Sequence, residues 1–452
     1  MKIGFAGTIL AASLGFGLVQ LDVSIVNVAL VSIGRDLNAG IASVAWIVGA
    51  YTIAFACMLL PGGALGDRIG AKRSFLGGFA VFGLASLGCA LAPSIGFLIV
   101  LRVVQGIGAS TLVPCSLALI AHAARDDGKL RARGIALWTA AGSVSLAAGP
   151  ILGGALIAGA GWRAIFFINL PLCAAAIVLG LRLSEETPAR GGNFDPLGEL
   201  FAVVTLLSAI AGVIEAGALG FGAGFVRIAL LTSVIGAAGF VVVELRVRDP
   251  MVPLSFFGLP TFRAAVGVGF AINATLYGTL FMLALYLQHA RHYTPLMVGL
   301  AFMPFAAMLG IANLAAGMVV GKRGPRGPML AGLAVALAGF ALLCGYSAHS
   351  SYIALLPALL VIPSGIGVAV PAMTSALLGV TPRERSGIAS GVLNSVRQAA
   401  GALGIALAAA LIVRLGPVAG FHLLAELWSA MIGIALVVAL LGITRAPRRT
   451  AS

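Results

Sequence analysis

Charge is what this sequence has least of. Only 9% of its 452 residues are Asp, Glu, Lys or Arg, against 60% hydrophobic, and the mean hydropathy is +1.10. Length alone would allow two or three soluble domains, but a chain this apolar has too little polar surface to face water. Histidine is equally scarce, with five copies, and His122 and His289 stand at the ends of apolar runs. No zinc-type cluster, Walker loop or nucleophile elbow is present, so an enzyme has no support and neither metal nor cofactor is expected. The cysteines Cys57, Cys89, Cys115, Cys173 and Cys344 lie inside apolar runs without metal-like spacing, as packing residues do. No cleavable leader is expected: Met1 to Ile33 carries one base, Lys2, and then an apolar stretch too long for a signal core, which reads as a first span. The net charge of +14 does not imply nucleic acid, because the bases fall in short clusters between apolar runs and form no continuous patch.

What is present is length in oil. A helix needs about 20 apolar residues to cross a bilayer, and on that criterion about fourteen runs qualify, from 6–31 to 421–443. The partner implied is lipid. An even count puts both termini on one side, and the bases choose that side. Arg35, Arg163, Arg227, Arg291 and Arg414 fall in the alternate loops, and Arg102 and Arg397 fall within spans. The other twenty-one of the 28 bases share the side of the termini, which the positive-inside rule makes cytoplasmic.

The stretch Gly63 to Arg73 breaks two apolar runs with Asp67, Arg68, Lys72 and Arg73 among glycines. A related break recurs downstream: Gly63 aligns with Gly317, Arg68 with Lys322 and Gly70 with Gly324, while Asp67 meets Gly321. Gly106-Ile-Gly108 answers Gly365-Ile-Gly367, and Arg131 to Ala136 answers Arg383 to Ala389, in the same order. A six-helix half has been duplicated in parallel, with two extra spans between the copies. The expected fold is all-α and integral to the membrane: a six-helix bundle over 1–184, a linker with two extra transmembrane helices over 185–250, a second six-helix bundle over 251–445, and a tail over 446–452.

Ionisable groups inside spans are costly and mark function by default. Asp22 is the foremost, with no other charge between Lys2 and Arg35. Burial penalises its charged form and a nearby base favours it, so such a group can take up and release a proton; the alternative is a structural acid satisfied by backbone, Ser24 or Asn27. Arg102 is its natural partner, since rise per residue puts both at about 8 Å below the same face; it serves either as the cation that holds Asp22 charged or as a structural bridge. Gly149, Pro150, Gly153 and Gly154 in the fifth span allow close approach and a kink, suited to a moving seam or to static packing. Asp67, Arg68 and Arg73, with Gly63 and Gly70, form a cytoplasmic latch or merely hold topology. Asn27, Gln105, Asn273, Tyr277, Asn394, Arg397 and Gln398 are candidates to line a wet cavity or to bond across helices. Glu215 is either a second titrating acid or interfacial, and Glu199 and Glu244, at span ends, are expected to be solvated.

These residues resemble the major facilitator superfamily, and within it the fourteen-helix drug:proton antiporter branch. Gly63–Arg73 is similar to the family's inner-loop signature, Leu101–Gly108 to the fourth-helix proton-transfer signature and Gly142–Gly154 to the antiporter signature. Leu21–Leu30 and Trp162–Pro171 resemble motifs of this branch. The departures are mild: Val31 stands where the branch often has Pro, and Ser24 where it often has Thr; Gly321 opposite Asp67 argues against a symmetric latch. The resemblance implies a monomer in a bacterial cytoplasmic membrane, needing no cofactor, that exports small drug-like or amphipathic compounds as protons enter, with Asp22 and Arg102 handling the proton. A symporter or exporter of a specific metabolite, and a non-transporting sensor, are the competing expectations.

Overall fold

A computed structural model describes residues 4–124, 127–183, 195–247, 250, 252–346, 351–382 and 386–443. Among them there is helix and no strand, as the bilayer demands of a spanning backbone that must satisfy its own hydrogen bonds. The helices in chain order are α1 (Phe5–Asp36), α2 (Ile41–Ile69), α3 (Ala71–Ala90), α4 (Ile95–Ala124), α5 (Gly128–Ala160) and α6, which a turn at Ile168 divides into Ala164–Phe167 and Asn169–Leu181. Then follow α7 (Pro196–Leu219), α8 (Gly224–Arg246), α9 (Pro260–His289), α10 (Pro295–Arg323), α11 (Arg326–Cys344) and α12 (Tyr352–Val380). The final helical stretch, Ser386–Gly442, turns at Gly416, whose φ of 82° is open to glycine, and is counted as α13 (386–415) and α14 (417–442). The expected boundary after residue 184, the tail 446–452 and the side chains of Lys322 and Arg323 lie outside the described residues.

Helices are longer than the apolar runs that mark them. The charged break at Gly63–Arg73 is helix on both sides: α2 continues through Asp67 and Arg68, and a single residue, Gly70 at φ 97°, turns the chain into α3. Asp195 caps α7 by accepting from the Gly198 N–H with Pro196 in the first turn, the pairing that suits a helix start.

Helices α1–α6 and α9–α14 repeat one packing plan. The contacts of α1 with α5, α2 with α4, α3 with α4 and α3 with α6 recur as α9 with α13, α10 with α12, α11 with α12 and α11 with α14. The halves meet along two seams, α2 against α13 and α5 against α10, which the same twofold relates. Lipid tails offer helices no hydrophobic reason to associate, so small residues set the close approaches: a Cβ at Gly108 would stand 2.8 Å from the Phe82 nitrogen of α3, and one at Gly339 of α11 2.6 Å from the Ile362 nitrogen of α12. α9 is buried along almost its whole length. The two extra helices sit at the flank: α7 packs on α2 and α13 beside their seam, and α8 packs on α7, presenting Ile228, Leu231, Val234 and Ile235 outward.

The repeated Gly-Ile-Gly pairs do not occupy matching registers. Gly106 admits α2 and Gly108 admits α3, whereas Gly365 admits α11 and Gly367 admits α10. Since α3 and α11 are counterparts, Gly365 answers Gly108 and not Gly106. The glycines that meet them, Gly78 and Gly332, complete the correspondence.

Candidate functional site

The ends of the helix array differ. One holds Arg68, Lys72, Arg73, Arg133, Arg182, Arg246, Arg263 and Arg326, and is the base-rich end; Arg35, Arg163, Arg227, Arg291 and Arg414 stand at the other. The base-poor end is closed between the halves. Gly299 of α10 lies against the Pro150 carbonyl of α5, Gly154 lies against Pro295 and Leu296, and Gln288 Nε2 of α9 donates to the Val28 carbonyl of α1 at 3.4 Å. From mid-depth to the base-rich end a cavity of about 1930 Å³ separates the halves, its lining reaching Asp67, Asp195, Glu244 and the segment around Pro253.

Asp22 and Arg102 meet within the first half, both fully buried, with Arg102 Nη1 2.5 Å from Asp22 Oδ2. Asp22 Oδ1 accepts from Gln105 Nε2 at 3.0 Å and from Asn169 Nδ2 at 3.2 Å. Arg102 gives its second Nη1 proton to Gln105 Oε1 at 2.7 Å and its Nε–H to the Ile47 carbonyl at 3.0 Å, while the Tyr51 ring lies 4.2 Å from the guanidinium carbon. Ser86 completes the cluster: it donates to the Phe82 carbonyl and accepts from Gln105 and Asn169, which uses its full capacity. Three atoms of this cluster have no partner among the described residues: Arg102 Nη2, the Tyr51 hydroxyl and Asn169 Oδ1. A buried ion pair is tolerable only when hydrogen bonds satisfy what the charges leave over, and here one guanidinium nitrogen, one phenol and one amide oxygen are left over.

The elements explain the convergence. Gln105 follows Arg102 by three residues and so shares its helix face. The turn at Ile168 sets Asn169 at the head of the second part of α6, and α1 comes close because Gly149 of α5 has no side chain: a Cβ there would collide with the Ser24 hydroxyl and lie 3.0 Å from the Ile25 nitrogen. Gly153 receives Ile25 in the same way, so Gly149 and Gly153 seat α1 while Pro150 and Gly154 meet α10. The four-residue cluster in α5 thus touches both halves.

The second polar group lies across the cavity. Asn273, Tyr277, Asn394, Arg397 and Gln398 line it; Arg397 Nε donates to Asn273 Oδ1 at 3.1 Å and Nη1 to Asn394 Oδ1 at 3.4 Å. Two sequence candidates are elsewhere. Gln105 belongs to the sealed Asp22 cluster, because its amide is consumed there, and Asn27 bonds the Val23 carbonyl within its own helix at 2.8 Å, beside a small apolar void. Glu215 is half-buried on α7 and does not line the cavity.

At the base-rich end, Asp67, Arg68 and Arg73 are exposed, with Asp67 on the cavity rim and Gly63 beside Pro114 of α4. Lys72 ties this turn to a neighbouring helix: its Nζ donates to the Leu181 and Leu183 carbonyls at 3.0 and 2.8 Å, where a cation meets the carbonyls at the end of α6. Glu199 and Glu244 are not solvated: both are buried, because the base-rich ends of α7 and α8 are tucked against the body of the protein, with Glu244 on the cavity wall and accepting from the Val252 N–H at 3.1 Å. Sequence reasoning did not reach Ser86, Tyr51 or the role of Asn169; only Asn169 carried a signal, its place in the Trp162–Pro171 motif.

Two six-helix halves joined by a pseudo-twofold, closed at one end and parted by a cavity at the other, define the class of secondary transporters. The chain belongs to the Major Facilitator Superfamily, whose model matches residues 12–405 and 269–450. It is 35% identical over 400 residues to a Mycobacterium tuberculosis protein called Multidrug resistance protein Stp, covering 88% of this chain and 74% of that one. It is 36% identical over 398 residues to the Methylenomycin A resistance protein of Streptomyces coelicolor, covering 88% and 84%. Among solved structures, a POT family transporter in complex with 5-aminolevulinic acid shares the fold with a TM-score of 0.72 at 15% identity, over 98% of this chain and 97% of that one.

Proposed function

We propose that the protein is a proton-driven exporter of small amphipathic compounds, an antiporter working by alternating access in a bacterial cytoplasmic membrane with its base-rich end and both termini in the cytoplasm. The observation that carries this reading is the fully buried Asp22–Arg102 pair, set in the wall of one half and apart from the cavity lining. A charge so placed is costly to bury in a static scaffold and fits a group that trades its cation for a proton. The drug-resistance names of the relatives agree with it. In the proposed orientation the cavity faces the cytoplasm and receives substrate from there.

The cycle follows from the contacts. Protonation of Asp22 removes the carboxylate charge; Arg102 keeps Gln105 Oε1, the Ile47 carbonyl and the Tyr51 face, and the attraction between α1 and α4 falls. Two residues beyond Asp22, Ser24 sits on Gly149, and Pro150 next to it sits on Gly299. The protonation state of Asp22 is therefore one helical turn from the seam that closes the base-poor end, and this is the route by which a proton biases which end is open. In proteoliposomes with an imposed pH gradient, a panel of lipophilic cations, antibiotics and amino acids should yield substrates that move against the proton. Substrate moving with the proton would make the protein a symporter, and flux for none of the panel would end the export reading.

A further inference from the structure

The cavity is electrically lopsided. Among the described residues, those with charge in its lining are Asp67, Asp195, Glu244 and Arg397: the three acids stand where α2, α7 and α8 reach the base-rich end, and Arg397 stands about 16 Å along α13 at 1.5 Å per residue. Around it are Asn273, Tyr277, Asn394 and Gln398, and beyond them Leu276, Leu309, Ile366 and Val370. Among the described residues no carboxylate lies within ion-pair distance of Arg397. The acceptors that hold it, Asn273 and Asn394, are neutral; they orient the guanidinium without cancelling its charge. A guanidinium has five N–H groups in a fixed fork, and these two bonds leave three for the cavity.

A cation withdrawn from bulk water without a counter-charge is unfavourable, and the same protein gives its other deeply placed arginine, Arg102, an aspartate. Resting on the reading of this cavity as the substrate path, we infer that Arg397 is the recognition site for the anionic group of the substrate, a carboxylate carried on an apolar body. The fork matches a carboxylate's two oxygens, the two asparagines fix its angle, and the aliphatic wall takes the body. A lipophilic cation, by contrast, meets a like charge at the depth where the halves must close around it.

The test is equilibrium binding to the full chain in phosphatidylcholine nanodiscs with no pH gradient, using three probes on one naphthalene scaffold: the carboxylate, the carboxamide and the trimethylammonium. The wild type should bind the carboxylate about tenfold or more tightly than either of the others, as a charge-assisted contact implies. Arg397→Gln should erase the preference and Arg397→Lys should keep part of it. Asn273→Asp supplies an internal counter-ion and should also erase the preference while leaving the fold intact, so the inference survives any folding defect of Arg397→Gln. Equal binding of the three probes, tighter binding of the cation, or a preference that persists in Asn273→Asp overturns it. Because no gradient is present, this failure is separate from that of proton-driven export: flux without the preference rejects the anion site alone, and the preference without flux rejects the export reading alone.

Discussion

The two halves share a packing plan and differ in what they do with a buried arginine. In the first, Arg102 is fully buried, bonded to Asp22 and its amide partners and covered by Tyr51. In the second, Arg397 is half-buried, held by two asparagines and turned to the cavity. Duplication supplied the scaffold twice, but the two arginines are not copies of one another: Arg102 is on α4, whose counterpart is α12, and Arg397 is on α13, the counterpart of α5. On the function proposed above, the difference is a division of labour in which the sealed pair would exchange a proton and the open cation would meet a solute.

The largest effect should come from neutralising the sealed side. Asp22→Asn keeps the hydrogen-bonding shape yet cannot cycle a proton, and gradient-driven efflux should fall by about 100-fold or more, the scale of a lost proton-transfer group, while equilibrium binding in the cavity persists. Efflux at the wild-type rate would end the division. The arginines themselves should separate by stability. Arg102→Met strands Asp22 without its cation and should cost about 3–5 kcal/mol, with Asp22→Asn/Arg102→Met recovering most of it. Arg397→Met strands no charge and should stay within about 1 kcal/mol. Thermal unfolding in detergent measures both; equal losses would mean that the two sites are alike.

The fold was the more legible part because its cause is local: runs of about 20 apolar residues must be helices in lipid, and Gly70 and Gly324 mark the same turn in both halves with φ of 97° and 73°. Of the site, the charged members stand out because an ion within a span is expensive. Ser86 and Tyr51 do not, since their importance comes only from which helices pack together. The Gly-Ile-Gly match misled for the same reason: identical letters two residues apart serve neighbours on opposite sides of a helix. Glu199 and Glu244 look like solvated span ends until α7 and α8 fold against the body.

A smaller effect should follow from filling the seam that joins the two halves. A side chain at Gly299 meets the Pro150 backbone, which cannot rotate away as a side chain would, and overpacking of this kind costs about 1–3 kcal/mol. Gly299→Ala penalises only the state in which the base-poor end is shut, so the population should shift toward opening there. With Val31→Cys placed near that end in a chain free of other cysteines, labelling by an impermeant maleimide should speed up by about tenfold, the factor that 1.4 kcal/mol brings. An unchanged rate would show that α5 and α10 do not gate this end.

The least effect belongs to the pair that looks most like Asp22–Arg102 on paper. Asp36 and Arg163 are also aspartate and arginine, 2.7 Å apart, but their side chains are 49% and 40% exposed. Asp36 accepts from Trp162 Nε1 at 2.9 Å as well, and Arg163 reaches the Ala92 carbonyl at 3.3 Å, so the cluster ties the far ends of α1, α3 and α6 together. Solvent screens such a pair, and holding two flexible side chains costs entropy, so Arg163→Gln should leave the unfolding temperature close to that of the wild type, with no difference at high salt. Efflux should be unaltered. If Arg163→Gln were as damaging as Arg102→Met, burial would not be what distinguishes the two aspartate–arginine pairs, and the case for Asp22 as the proton's station would lose its physical ground.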